Sequence, residues 1–196
     1  MKQLTIGSVI VLVMLLSFAI GKKVQAQSLV LPQPRDIYLH GEVTEALALG
    51  IGAAIQDLNE QGSQEITIHI TSPGGSVYGG LQIYDYMKQS KAPIKTVCEG
   101  YCVSMAAFIL SWGTTRSAMA HSTIMFHQVS TKTEGSLAEI INELSETSRL
   151  QAICNTITQE HSHLSLDAIT KLEDHDNYMS PTQAKSLGLI DSIIGE

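Results

Sequence analysis

The run Glu65-Ile66-Thr67-Ile68-His69-Ile70-Thr71 alternates apolar and polar side chains, then stops at Ser72-Pro73-Gly74-Gly75-Ser76. Period two over that length describes a strand with one buried face, and the Pro-Gly-Gly cluster ends it. A helical pattern follows from about Val77 to Ser90, with Leu81, Tyr84 and Lys88 at four- and three-residue steps. Pro93 then precedes a second strand, Ile94 to Cys98, which ends at Gly100. A strand, a tight turn and a helix, repeated at this length, predict an α/β fold with a mainly parallel sheet.

The rest of the chain fits that frame. Asp36 to His40 reads as a short strand, and Leu47, Ile51, Ile55 and Leu58 share one helical face between Glu42 and Gln61. Thr123 to Phe126 is a further strand, and Leu137 to about Glu160 is a long helix. Shorter helices are predicted over Ser165–Lys171 and Pro181–Leu187, and Gly188 caps the second before Ile190 to Ile194. A chain of 196 residues with 44% hydrophobic and 16% charged side chains holds one domain with a sizeable core. Its net charge of −7, with no basic run beyond a lysine pair, argues against a nucleic-acid surface. Three cysteines, Cys98, Cys102 and Cys154, show no metal-type spacing; Cys98 and Cys102 read as small apolar core residues rather than a disulfide framework.

The N-terminus differs in kind. Lys2 precedes an apolar run from Leu4 to Gly21, and Lys22-Lys23 and Val24-Gln25-Ala26-Gln27 follow. Positive end, apolar core and small residues at Val24 and Ala26 describe a secretory signal. The length of the run and the lysine pair also suit an uncleaved membrane anchor. The expected organisation is a signal or anchor over 1–26, a linker over 27–34 and a folded domain over 35–196. The location is then membrane-anchored or exported, or cytoplasmic if the first residues reflect the choice of start site.

One serine, Ser104, stands between Gly100 and the Ala-rich apolar run Met105 to Leu110. Alone it reads as a helix N-cap. A serine at that boundary is also where an acyl-transfer nucleophile belongs, because free N–H groups at a helix start can stabilise an oxyanion. A glycine N–H from Pro73-Gly74-Gly75, facing the N–H of Met105, would make a two-donor oxyanion hole. His127 leaves the end of strand 123–126, where parallel sheets carry their sites. The carboxylates of the polar turn Asp174-His175-Asp176-Asn177 could orient an imidazole. Nucleophile, base and acid in the order Ser, His, Asp are what acyl transfer requires.

Four stretches in this order carry a resemblance: Ser72 to Val77, Gly100 to Ala107, Met125 to Gln128 and Asp176 to Pro181, with the ending Gly188 to Ile193. Together they resemble the proteolytic subunit of the Clp protease, the ClpP family of serine peptidases, from about Asp36 to Ile194. The resemblance implies Ser104 as nucleophile, His127 as general base, Asp176 as its partner, and Gly75 and Met105 as oxyanion-hole donors. It implies the ClpP/crotonase-like spiral α/β fold with Leu137 to Glu160 as a protruding handle helix. Homo-oligomeric rings of seven, commonly two stacked, would enclose the sites, and the substrates would be peptides or unfolded proteins. No metal or organic cofactor is implied. A Clp-type ATPase is the family's partner, but here a hydrophobic segment, residues 4–21, replaces the family's N-terminal elements and argues against that docking. Two other chemistries use parts of the same pattern: a membrane-associated Ser-Lys peptidase, with Lys132 as the dyad lysine, and a crotonase-like acyl-CoA enzyme.

Overall fold

The computed structural model describes residues 35–196; the expected segment 1–26 and linker 27–34 lie outside the described residues. The architecture is α/β and mainly parallel, as the strand and helix alternation predicts. Strands β1 (Asp36–His40), β2 (Ile66–Ser72), β3 (Ile94–Val103), β4 (Thr115–Met119) and β7 (Ser192–Ile194) lie side by side in that order, all parallel. Strand β5 (Thr123–Phe126) joins the far end of β3, and β6 (Asn177–Met179) pairs antiparallel with β5.

The period-two reading of β2 has its physical counterpart in burial. Ile66, Ile68 and Ile70 are wholly buried, while Thr67, His69 and Thr71 are only half so. Each buried isoleucine stabilises the sheet by about 1.5–3 kcal/mol. Helix α1 (Glu45–Gln61) covers this face with Ala48, Ile51 and Ile55, and α2 (Val77–Gln89) adds Ile83, Tyr84 and Met87. Helix α3 (Met105–Ser111) is buried on every side, which is why it is built of Ala, Met, Phe, Ile and Leu. Trp112, which ends it, donates its indole N–H to Thr158 Oγ1 and ties α3 to α4 (Leu137–His161).

Helix α4 is 25 residues long, opens with a Ser136/Glu139 capping box, and buries only its second half, at Leu150, Cys154, Asn155, Ile157 and Thr158. Leu137, Ile141 and Leu144 in its first half stay exposed, the protruding helix that the resemblance implies. Two short helices follow, α5 (Leu166–Leu172) and α6 (Pro181–Ser186).

Three expectations need correction. Strand β3 does not stop at Cys98 but bends and runs on to Val103. Its first half pairs with β4 and its last residues with β5, so the sheet forks along one strand. The bend lies at Glu99-Gly100-Tyr101, where Gly100 takes φ +82°, open to glycine at little cost. It brings the Cα atoms of Cys98 and Cys102 to 5.9 Å, where an extended strand would hold them about 13 Å apart. The two cysteines are core residues as expected, but they are also joined in a disulfide; Cys154 alone is free and buried. The bridge closes a bend within one strand and joins no distant elements, so an odd cysteine count carries no sign of it. Finally, the polar turn after Asp174 contains strand β6, and β4 was not read from the sequence at all.

Candidate active site

The site is assembled where β3, β5 and β6 end together. Val103 is the last residue of β3, and the next residue, Ser104, has φ 56° and ψ −128°. Among the described residues it is the sole non-glycine with positive φ. Such a conformation costs on the order of 1–3 kcal/mol and persists only where the surroundings impose it. Here Ser104 N–H donates to Met125 O at 2.8 Å, and Ser104 O accepts from Ala107 N–H, so β5 and α3 hold the turn from both sides. Gly74 presses against it: a Cβ there would lie 2.6 Å from Val103 O and 2.7 Å from Ser104 Cβ.

The ordinary N-cap role does not apply to this serine. Thr44, Ser76, Ser136, Ser165 and Ser180 each cap a helix through the side chain, and Ser104 makes no such bond. Its Oγ lies instead 2.7 Å from His127 Nε2. The register accounts for this meeting: Val103 pairs with Met125 in the parallel β3–β5 ladder, so the residues just beyond each strand end are neighbours.

The partner of the imidazole is set by the second ladder. Phe126 pairs with Asn177 across the antiparallel β5–β6 strands, so His127 and Asp176 form the next cross-strand pair. Nδ1 of His127 lies 3.3 Å from Asp176 Oδ1, with the histidine side chain 28% and the aspartate 64% exposed. Asp174, equally plausible from the sequence, contacts His175 instead. With Nδ1 protonated toward the carboxylate, Nε2 is free to accept a hydrogen bond from the Ser104 hydroxyl. Lys132 sits on an exposed segment and makes no bond to Ser104 among the described residues.

A narrow cleft beside Ser104 is lined by Gly75, Val77, Met105, Phe108, His127 and Gln128 among others. Neither the Gly75 nor the Met105 N–H is taken up by a backbone carbonyl of the turn or helix among the described residues. A larger cavity of about 480 Å³ is bordered by Tyr84, Lys88, Trp112 and His161; the Tyr84 hydroxyl lies 3.4 Å from His161 Nε2, and no serine or cysteine of its lining meets that imidazole among the described residues. No cluster of three or more metal-binding side chains occurs among the described residues.

Three supports of this site emerge only in the folded chain: one glycine of the Pro73-Gly74-Gly75 cluster that the sequence marked, and two side chains that it did not. Gly74, rather than Gly75, makes the close approach to Ser104. Glu173 is a carboxyl with 1% exposure behind the His127 segment, and burial pushes it up to about 7. Gln151 on α4 bonds both Glu173 and the backbone of Val129. A lone glutamine in a helix and a glutamate in an acidic turn look like solvated surface until the chain is folded.

A mainly parallel α/β sheet that bends beside a long, half-exposed helix is the architecture of the ClpP-like fold. The sequence model of the Clp protease family matches residues 21–196, and the chain belongs to that family. It is therefore a peptidase with the ClpP-like fold. Among the described residues no helix is long and apolar enough to cross a membrane.

Proposed function

We propose that the protein is a serine endopeptidase in which Ser104, His127 and Asp176 act as a catalytic triad on peptides or unfolded proteins. The observation that carries this reading is Ser104 itself: held in a strained turn, doing no capping work, with its Oγ 2.7 Å from an imidazole nitrogen. His127 takes the hydroxyl proton as Oγ attacks the peptide carbonyl, and returns it to the departing amine. Asp176 stabilises the imidazolium that forms between those steps. The Gly75 and Met105 N–H groups receive the oxyanion, and water activated by His127 releases the acyl-enzyme.

Family membership supports homo-oligomeric rings, and the exposed Leu137, Ile141 and Leu144 of α4 offer an apolar stripe for contact between copies. In such rings the sites would face an enclosed chamber that admits unfolded chains. The peptidase domain is 35–196, preceded by a linker and a leader or anchor that places it at or across a membrane. Docking of a Clp-type ATPase fits that arrangement poorly. A fluorophosphonate probe tests the reaction class: it should label Ser104, with Ser104→Ala abolishing both labelling and turnover. Labelling at another residue, or a Lys132→Ala variant that alone loses activity while His127→Ala keeps it, would overturn the triad.

A further inference from the structure

Glu173 takes no part in the steps above, yet three pieces of the site meet on it. It ends α5 and opens the turn to Asp176. Its Oε2 accepts from Gln151 Nε2 at 2.7 Å, and Gln151 Oε1 accepts from Val129 N–H at 2.5 Å. Its backbone carbonyl accepts from Gln128 N–H at 3.1 Å. The two residues after the candidate base are thus held by Glu173 twice, once directly and once through the amide of Gln151. Gln151 Nε2 also donates to Asn155 Oδ1, which keeps its amide oriented along α4. The second carboxyl oxygen, Oε1, is the one buried side-chain polar atom without a hydrogen-bond partner among the described residues.

We propose that Glu173 is a positioning residue for the hydrolytic site. Through Gln151 it seats the Gln128–Val129 backbone against α4, and so sets the distances from His127 to Ser104 and to Asp176. The inference rests on the triad reading and adds a support to it.

The chemistry of the carboxyl makes that support depend on pH. A neutral acid tolerates one unpartnered oxygen in an apolar surrounding far better than a carboxylate does. Burial pushes Glu173 up to about 7, so the folded protein keeps a proton that the unfolded chain releases near its ordinary value of about 4.5. The stabilising contribution is complete at the acid end of that window and is lost as pH rises through about 7. The other titratable groups around it do not compensate. Cys154 of α4 is a thiol that burial pushes up to about 12. Asp174 and His175 pair with each other at the surface, and Asp176 faces His127.

The test compares fluorophosphonate labelling rates of Ser104 in full-length variants with the wild type across pH, as the ratio of variant to wild type at each pH. Glu173→Gln keeps an acceptor for Gln151 and cannot ionise. Its ratio to wild type should be near unity at about pH 5.5 and rise to about fivefold at about pH 8.5. Gln151→Ala, at a half-buried position, should label about tenfold more slowly throughout, with Ser104 still reactive. A purely structural role would lower thermal stability without moving the ratio. A ratio that stays flat with pH, or Gln151→Ala labelling at the wild-type rate, overturns the proposal while leaving the triad intact. A wild type that takes up no probe at any pH overturns both.

Discussion

Asp176→Asn is the substitution for which the geometry departs most from general experience with triads. A buried triad aspartate is worth about 10⁴ in kcat. Here the carboxylate is 64% exposed and lies 3.3 Å from His127 Nδ1. Two unit charges at that separation attract by about 5 kcal/mol at an effective dielectric of about 20, and by about 1.3 kcal/mol in bulk water. An acid this open to solvent belongs nearer the second figure, at about 2–3 kcal/mol, or about 30- to 150-fold in rate. The assay is hydrolysis of an activated ester together with probe labelling of Ser104, for wild type, Asp176→Asn and Asp174→Asn. Asp174 contacts His175, so its variant should stay within about twofold of wild type. Because the acid is exposed, the gap should also narrow between about 0.1 M and about 1 M salt. A loss of about 10⁴ that is insensitive to salt would refute the reasoning and place Asp176 in a dry site in the working enzyme. No loss at all would remove it from the triad.

Gly74→Ala should abolish probe labelling, because the new Cβ would lie within 2.8 Å of Val103 O, Ser104 Cβ and Met105 N at φ +89°. Gly100→Ala, also at positive φ but with its nearest neighbour 4.0 Å away, should lose about 1–2 kcal/mol of stability and keep labelling; equal effects of the two would contradict this account. Asp191 accepts from Arg116 N, Nε and Nη2, and the Arg116 side chain is 8% exposed, so Asp191→Ala strands a buried cation and should cost about 3 kcal/mol in urea unfolding at neutral pH. Arg116 holds the Asp191 carboxyl below its usual range, so this contribution is present above about pH 4 and fades as pH falls through the folded value; a difference between variant and wild type that stays constant into acid would refute it. Full-length protein carrying residues 4–21 should stay with membranes through carbonate extraction if that segment is an anchor, and its release into the supernatant refutes anchoring.

Features that depend on near neighbours in the chain were legible in the sequence. Period two at Ile66, Ile68 and Ile70 marks β2, the Pro73-Gly74-Gly75 break marks its end, and the apolar run after Ser104 marks a buried helix. The same local signals place Ser104 at a helix start and His127 at a strand end. Strand β4 escaped because its burial, with Arg116, Ser117 and Ala118 all inside, has no period; Arg116 is buried by its bonds to Asp191, far along the chain. The choice of Asp176 over Asp174 lies in the β5–β6 register, since one residue of slip would present His175 or Asn177 to His127, and Asp174 would need two. The Cys98–Cys102 bridge follows from the bend that lets β3 serve two neighbours. Glu173 and Gln151 become a unit only when α4 is laid against the His127 segment. Hydrophobic periodicity is written into consecutive residues, whereas the pairing of charges and amides depends on which elements the fold brings side by side.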